Sequence, residues 1–384
     1  MAPIRVLQVL TIMNRGGAET MIMNYYRNMD RTKIQFDFLL HRPDVGVFDE
    51  EIKNLGGNIY RLSNINFANL QAYQKSLDAF FKNHTEYKIV HAHLNALSVF
   101  VLKAAKNNGI PVRIAHSHTS LYHININPFS KKRSSMNFIV KFLAQNYFKF
   151  GARKYANHFL ACGKQAGIWL FGENNLSKVT FINNAIASSN FTYNQSIAND
   201  YKKKLNVKNK LVIGHVGNFV PEKNHTFLLK VFKEIKKLNM EAVLILVGGG
   251  NKTPMEVQAK NMKLNNSVQF LGVRDDVAQI LQAMDVFIFP STNEGLPVTL
   301  IEAQAAGLKI IASNGVSNEL NITGLVNFES LKQKPKRWAE LTIALKNYNR
   351  TNTKNLIVSG NYDIGNNAIM LQDFYKKNIT LCAE

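Results

Sequence analysis

Short apolar runs alternate with longer amphipathic segments along the chain. In the first half the apolar runs cover residues 4–10, 35–40, 58–62, 87–93, 112–118, 158–163 and 179–186. In the second half they cover residues 211–217, 242–249, 268–272, 286–291 and 309–314. Short β-branched runs separated by helical patterns are typical of βα units that build a parallel sheet. The pattern therefore predicts an α/β protein with two doubly wound domains.

A polar stretch rich in Asn, Ser and Lys, residues 188–210, lies between the two halves. We expect it to be the linker, since a chain of 384 residues is long for one domain. The predicted organisation is an N-terminal domain over residues 1–188, a C-terminal domain over residues 189–362, and a helix over residues 363–384 that packs back on the N-terminal domain.

The charge balance indicates an anionic partner. The chain has 47 Lys and Arg against 26 Asp and Glu, a net charge of +21. Between Tyr87 and Gly172 there are 12 basic residues and no acidic one. Nucleic acid, an anionic membrane and a phosphorylated substrate are the candidate partners. No nucleic-acid recognition motif accompanies the charge, which disfavours the first.

The location is expected to be cytoplasmic. Only Cys162 and Cys382 occur, too few for a disulfide framework or a cysteine-based zinc site. The N-terminus has no cleavage region and is predicted to be the first strand. No run approaches the roughly 18 apolar residues that a membrane span needs.

Two glutamates, Glu294 and Glu302, flank a Gly-Leu-Pro turn in residues 287–311. Glu294 follows a buried strand and precedes a helix, for which Pro297 suits the first turn. Backbone N–H groups of Gly295 and Leu296 at that helix start favour a nearby phosphate. The alternative is that Glu294 caps the helix and Glu302 is an ordinary exposed residue.

Two further glycine-containing turns follow first strands. In residues 214–225, "GHVGNFVPEKNH", Lys223 enters the next helix and would supply a point charge to an anion. In residues 14–19, "NRGGAE", Gly16 and Gly17 let a backbone approach a ligand. Each motif alone is weak, because a lysine near a helix start is usually solvated and a glycine pair is often only a turn.

Four histidines gather at strand ends of the first half: His91, His93, His116 and His118. Alternate spacing places each pair on one face of its strand. A metal site is conceivable but lacks a nearby Asp, Glu or Cys. A histidine that polarises a substrate phosphate or hydroxyl is favoured.

Together these motifs resemble the group 1 glycosyltransferases, family four of the sequence-based classification, over nearly the whole chain. The resemblance rests on Glu294-x7-Glu302, "GGAE" at 16–19, "ACGKQAGIWLFG" at 161–172, "FINNAI" at 181–186, "GHVGNFVPEKNH" and "LILVGGG" at 244–250. It is closest to bacterial enzymes of capsular and exopolysaccharide assembly.

The resemblance implies a GT-B fold, two Rossmann-like domains facing across a cleft. It implies retaining, metal-independent transfer from a nucleotide sugar, usually UDP-linked, to a lipid-linked or oligosaccharide acceptor, with no cofactor. The implied catalytic residues are Glu294, His118 and, second to it, His116. The implied donor-binding residues are Gly16, Gly17, Asn218, Lys223, Arg274, Gly295, Leu296 and Glu302.

Two departures from the family pattern keep alternatives open. Asn218 stands where the family usually has an arginine that grips the diphosphate. Residues 184–187 read Asn-Ala-Ile-Ala, without the family's acid. A UDP-sugar epimerase of GT-B fold and a catalytically weak partner subunit are the alternative functions.

The segment 130–154 combines aromatic and aliphatic residues with seven basic ones. That composition suits an interfacial helix on anionic lipid, where an acceptor carried on polyprenyl diphosphate would reside. The protein is therefore expected to be peripheral on the inner face of the cell membrane. An ordinary amphipathic helix with a solvated basic face is an equal alternative.

Overall fold

The computed structural model of the chain describes residues 2–14, 16–65, 70–118, 136–294 and 296–381, with the backbone alone for residues 136–142. The chain divides into two compact units. The first contains Met1–Ala185 and Ile364–Glu384, and the second contains Ile186–Asp363. The change of unit lies three residues before the end predicted for the N-terminal domain.

The first unit is built on a seven-stranded parallel sheet in the order β3-β2-β1-β4-β5-β6-β7. Its strands are β1 Ile4–Leu10, β2 Ile34–Leu40, β3 Ile59–Arg61, β4 Ile89–Ala92, β5 Val112–Ser117, β6 His158–Ala161 and β7 Val179–Phe181. Its helices are α1 Gly17–Asn28, α2 Asp49–Asn54, α3 Leu70–Asn83, α4 Ser98–Asn107, α5 Met136–Tyr155, α6 Lys164–Phe171 and, from the end of the chain, α15 Ile364–Thr380.

Helix α15 belongs to the first unit, where it packs against α1. Leu371 and Tyr375 on its inner face are fully buried. The Tyr375 ring meets the edge of Phe36 in β2, with the ring centroids 6.0 Å apart. Burial of two large apolar side chains contributes several kcal/mol to this attachment, at about 2 kcal/mol each.

The second unit has a six-stranded parallel sheet in the order β10-β9-β8-β11-β12-β13. Its strands are β8 Val212–Val216, β9 Val243–Val247, β10 Val268–Gly272, β11 Val286–Phe289, β12 Lys309–Ser313 and β13 Val326–Glu329. Its helices are α7 Ser188–Phe191, α8 Gln195–Lys204, α9 His225–Leu238, α10 Thr253–Asn261, α11 Val277–Ala283, α12 Val298–Ala305, α13 Pro335–Leu345 and α14 Lys354–Ser359.

Both faces of the second sheet are covered, which explains its continuous apolar strands. In β11, Phe287 and Phe289 belong to the core on one face, and Val286 and Ile288 to the core on the other. Every residue of this strand is fully buried. The predicted α/β class with parallel sheets is confirmed.

Three details differ from the sequence-based expectations. The polar stretch 188–210 is not a linker, because it forms α7 and α8 within the second unit. The Asn194 side chain caps α8 by accepting hydrogen bonds from the backbone N–H groups of Ser196 and Ile197. Strand β13 was not predicted, and Pro297 lies at the N-cap of α12 rather than in its first turn.

No described helix is both long and apolar enough to cross a membrane.

Each sheet reverses its strand order once. The reversal lies between β1 and β4 in the first unit and between β8 and β11 in the second. Ligands of doubly wound sheets bind outside the carboxyl ends of the strands at such a reversal. The loops after β1, β4, β8 and β11 are therefore the places to look for a site.

Candidate functional site

In the second unit, the loops that leave β8 and β11 bring Lys223 and Glu294 together. The Nζ atom of Lys223 lies 2.7 Å from Oε1 of Glu294, and about a sixth of each side chain is exposed. The same Nζ lies 4.6 Å from the ring centroid of Phe289, the last residue of β11. Glu294 is held in place by its backbone N–H, which donates to the carbonyl of Gly315 at 3.1 Å. An ammonium and a carboxylate are therefore in contact at the point where the strand order of the second sheet reverses.

A cavity of 290 Å³ opens beside Lys223. Its walls come from the loops after β8, β9 and β10 and from the first turn of α12. They include Gly217, Asn218, Lys223, Gly249, Arg274 and Thr299. Three of the predicted donor-binding residues, Asn218, Lys223 and Arg274, therefore line one cavity.

Glycine is required where two of these loops cross. Gly248 has φ +152, and a Cβ there would lie 2.1 Å from the carbonyl oxygen of Gly217. The exits of β8 and β9 are joined by the Gly217 N–H, which donates to the carbonyl of Val247 at 2.8 Å. The close approach of these two loops therefore depends on the absence of a side chain at position 248.

The Asn218 side chain braces the cavity wall. Its Oδ1 accepts a hydrogen bond from the backbone N–H of Gly249 at 3.0 Å. An asparagine therefore replaces the family's arginine with a group that ties two loops together and adds no charge.

Arg274 contributes a cation at the rim of the cavity. Its guanidinium makes a two-point contact with Asp276, at 2.7 Å and 2.6 Å, and 42% of its side chain is exposed. Because Asp276 neutralises it in part, Arg274 offers less charge to a ligand than its position suggests.

Glu302 lies on α12, one turn after the cavity-lining residue Thr299, so both residues occupy the same helix face. Burial raises the pKa of the Glu302 carboxyl to about 7. Such a group is half ionised near neutral pH and can take up or release a proton when a ligand binds. The Leu296 side chain packs on the core of the unit, and Gly295 lies outside the described residues.

In the first unit, Gly16 and Gly17 form the start of α1, directly after the exit loop of β1. Gly16 is the N-cap and Gly17 is the first helical residue. A Cβ on Gly16 would collide with the Glu19 carboxylate, whereas a Cβ on Gly17 would meet no atom within 4 Å. The fold therefore does not itself require glycine at position 17. The helix start offers N–H donors to an anion.

The four histidines form one packed cluster beside β4 and β5. The ring centroids of His91 and His93 lie 4.1 Å apart, as do those of His116 and His118. Nε2 of His91 lies 3.0 Å from Nδ1 of His116, and Nδ1 of His93 lies 2.8 Å from Nε2 of His118. Burial lowers the pKa of all four imidazoles, that of His118 to about 3. The cluster is uncharged at neutral pH.

The two histidines predicted to be catalytic differ in access. His118 follows the end of β5 and is partly exposed. His116 is fully buried and stacks on both His91 and His118. A fully buried ring offers no surface to a substrate, which disfavours His116 as a catalytic residue and leaves His118 as the accessible one of the two.

Nitrogen atoms of His91, His93 and His116 lie within 4.8 Å of one another, close enough to share a metal ion. These rings also hydrogen-bond to each other and to Gln8 and Tyr375. The cluster can thus be interpreted either as a metal site or as a hydrogen-bonded network of neutral side chains.

Several residues around these sites were not predicted. Thr299 and Gly249 line the cavity, and Gln8 and Tyr375 bond to the histidines. A polar residue inside the apolar run of β1 was a usable signal for Gln8. Tyr375 carried no signal, because it is 284 positions from the histidine that it contacts.

Comparison with known proteins agrees with this geometry. The family described as glycosyl transferases group 1 matches residues 197–326, which hold Asn218, Lys223, Arg274, Glu294 and Glu302. EpsF of Bacillus subtilis (strain 168), which carries the name of a glycosyltransferase, is 37% identical over 345 residues, covering 88% of this chain and 87% of EpsF. A UDP-Gal:alpha-D-GlcNAc-diphosphoundecaprenol alpha-1,3-galactosyltransferase of Escherichia coli is 29% identical over 251 residues, covering 62% of each chain.

Among solved structures, HepE of Anabaena in complex with UDP superposes with a TM-score of 0.77 over 97% of this chain and 100% of HepE, at 18% identity. This likeness confirms the predicted GT-B fold. With a relative at 37% identity along most of its length, the chain belongs to the group 1 glycosyl transferases.

Proposed function

We propose that the protein transfers a sugar from a UDP-sugar to a lipid-linked acceptor in the assembly of a cell-surface polysaccharide, with retention of anomeric configuration and without a metal ion. The observation that carries the proposal is the contact of Lys223 and Glu294 beside a cavity whose wall includes glycine backbone. That contact places a cation that can bind a diphosphate next to a carboxylate that can face a sugar, where the strand order of the second sheet reverses.

In this proposal the donor diphosphate binds at Lys223. A Lys223 ammonium has three hydrogens and can donate to a phosphate oxygen while it stays bonded to Glu294. The N-terminus of α1, with Gly16 and Gly17, supplies further N–H donors. Glu302 accepts hydrogen bonds from the ribose hydroxyls, which favour its ionised form. The nucleotide of the E. coli relative is UDP, which supports a uridine donor.

Charge on the leaving group decides whether a metal is needed. When the bond to the sugar breaks, UDP gains negative charge, and preorganised cations and N–H groups stabilise it. Lys223 and Arg274 both line the cavity and would meet that charge. This is why we propose transfer without a metal cofactor.

Glu294 is proposed to lie beside the donor sugar, where it stabilises positive charge at the reacting carbon. His118, in the first unit, is proposed to contact a hydroxyl of the substrate. Retention means that the new bond forms on the face from which UDP leaves.

A membrane-bound acceptor is supported by α5. Leu143, Tyr147 and Phe150 recur at helical spacing, and each has more than 60% of its surface exposed. Arg153 lies over the Phe150 ring at 5.1 Å. The aromatic and aliphatic residues of segment 130–154 also include Phe138, Ile139 and Phe142, whose side chains the structure does not describe. We propose that this face meets anionic lipid, and the E. coli relative acts on a diphosphoundecaprenol substrate.

The test is an assay of nucleotide release. Purified protein is incubated in EDTA with a panel of UDP- and GDP-sugars, with and without polyprenyl-diphosphate-linked acceptors. We expect acceptor-dependent release of UDP that is lost in Glu294→Ala and Lys223→Ala. Glu340→Ala and Lys230→Ala are matched controls, because both side chains are exposed on other helices. NMR of the product identifies its anomeric configuration.

Other results would point elsewhere. Release that requires an added divalent ion would refute the metal-independent mechanism. Conversion of the donor sugar without acceptor would indicate an epimerase. The absence of UDP binding would indicate a partner subunit, which the replacement of arginine by Asn218 makes worth testing.

To test the proposed membrane-facing surface of α5, the unchanged protein and Phe150→Ser are each floated with vesicles of anionic or neutral lipid. Equal binding to both lipids would argue against the proposed surface.

A further inference from the structure

One arm of a hydrogen-bond chain runs from Gln8 to His118. Gln8 is fully buried in β1, and its Oε1 lies 2.8 Å from Nε2 of His93. Nδ1 of His93 lies 2.8 Å from Nε2 of His118. The chain therefore starts inside the sheet of the first unit and ends at a partly exposed imidazole.

The direction of this arm follows from the chemistry of its atoms. An amide oxygen only accepts hydrogen bonds, so Nε2 of His93 carries the proton. Because burial keeps His93 neutral, its Nδ1 has no proton and accepts from His118. Nε2 of His118 is then the donor, and its Nδ1 is left without a proton.

A second arm starts at the amide nitrogen of Gln8. Its Nε2 donates to the hydroxyl of Tyr375 at 3.3 Å. The Tyr375 hydroxyl has one hydrogen, which it gives to Nδ1 of His91 at 2.7 Å. Nε2 of His91 then donates to Nδ1 of His116 at 3.0 Å. This arm ends at Nε2 of His116, which is buried without a hydrogen-bond partner among the described residues.

The six groups are linked end to end, and each contact between them holds one proton. Turning the Gln8 amide by half a turn would exchange its donor and acceptor, and every contact along both arms would reverse. The tautomer of His118 is therefore a property of the whole chain rather than of His118 alone.

We propose that Gln8 and Tyr375 are positioning residues that keep the proton of His118 on Nε2 and present its Nδ1 as a hydrogen-bond acceptor. The tautomer itself follows from these contacts together with the orientation of the Gln8 amide, while its use in transfer rests on the proposed function. An unprotonated Nδ1 accepts from a sugar hydroxyl and repels a phosphate oxygen, which has no proton to give. His118 therefore accepts a hydrogen bond from a hydroxyl of the donor or acceptor sugar and does not bind the diphosphate.

The first test needs no substitution. Protein labelled at the histidine rings is examined by NMR at pH 7.5, and the ring shifts report which nitrogen carries the proton. The His118 signal is assigned as the one missing from His118→Asn. We expect a single Nε2–H tautomer. A single Nδ1–H tautomer, an equal mixture or a protonated ring would overturn the proposal.

Variants then test the positioning residues. Gln8→Met removes the amide at similar volume, and Tyr375→Phe removes only the hydroxyl, so it serves if the first variant folds poorly. Gln35→Met is the matched control, because Gln35 is also a buried glutamine bonded to a tyrosine hydroxyl, that of Tyr26, at 2.7 Å. We expect the Nδ1–H form of His118 to appear in the first two variants only. An unchanged His118 tautomer in both would overturn the proposal.

The metal interpretation is tested in the same spectra. If His91, His93 and His116 held an ion, EDTA or added Zn²⁺ would move their signals, and that result would overturn the hydrogen-bond chain. We expect no movement with either.

Activity separates this inference from the proposed function. If only the Nε2–H form is competent, an equal mixture lowers kcat/KM about twofold. A tautomer that responds as expected while His118→Asn keeps full activity would refute the role of His118 in transfer but not the positioning. A kcat/KM that falls in Gln8→Met with the tautomer unchanged would refute the positioning.

Discussion

The pKa of Glu302 allows its proposed contact with ribose to be tested by pH. The carboxyl pKa is about 7 in the free protein, raised by burial. Ribose hydroxyls can donate only to lone pairs, and the ionised carboxylate offers the stronger acceptor. Binding should therefore lower the pKa, release a proton, and become tighter as the pH rises.

The magnitude follows from the ionised fraction. With a pKa of about 7, roughly a tenth of Glu302 is ionised at pH 6 and roughly nine tenths at pH 8. If only the ionised form binds ribose well, the affinity for a UDP-sugar rises about tenfold between these values. A UDP-sugar is used rather than UDP, because its diphosphate has no terminal group that titrates in this range.

The assay is isothermal titration calorimetry in buffers of different ionisation enthalpy, which counts protons released on binding. Glu302→Gln should bind with little pH dependence and release no proton. Glu340→Gln on α13 is the matched control, because it removes an exposed glutamate of the same unit. Affinity that is flat with pH in the parent, or a slope that persists in Glu302→Gln, would refute the ribose contact.

Three further predictions concern the two units separately. Lys223→Met should weaken UDP-sugar binding by about tenfold to a hundredfold, the value of one charge-assisted hydrogen bond, whereas exposed Lys230→Met should not. Gly17→Ala should change the melting temperature by no more than about 2 °C, because a Cβ at this position meets no atom of the protein within 4 Å. It should nevertheless weaken UDP binding in calorimetry, and an unchanged affinity would refute the proposed contact of the start of α1 with the donor. Asp37→Ala should lower the free energy of unfolding by about 3–5 kcal/mol in urea titrations, because it removes the buried carboxylate that pairs with Arg5 and accepts from the Tyr87 hydroxyl at 2.8 Å. A loss below about 1 kcal/mol would contradict that reasoning.

The sequence predicts most of the fold because parallel strands that are buried on both faces are apolar at every position. Residues 4–10 and 268–272 form strands with the predicted bounds. Strand β13 was not predicted because apolar and polar residues alternate along it, with Val326 buried and Asn327 exposed, so it has no apolar run. The stretch 188–210 looked like a linker because its helices are stabilised by polar contacts, such as the Lys202 bond to Asp285 at 2.7 Å.

The sequence likewise predicts the identity of several site residues but not their contacts or burial. Each of Lys223 and Glu294 could be identified by its local motif, but their contact could not, since three strands and their helices lie between them in sequence. The burial of His116 was equally hidden, because alternate spacing gives the face of a residue and not what covers it. The raised pKa of Glu302 depends on packing around α12 and has no sequence signature.

Asn218 changes what the cavity can offer to a diphosphate. Its side chain accepts from Gly249 and brings no charge. The cations that line the cavity, Lys223 and Arg274, are each already bonded to a carboxylate, Glu294 and Asp276. A diphosphate that binds at these two described cations must therefore compete with the carboxylates for them or share them. If the donor diphosphate binds at Lys223 as proposed, any loosening of the bond to Glu294 leaves that carboxylate available to the donor sugar. The proposed function therefore couples donor binding to the readiness of Glu294 through a single ammonium group.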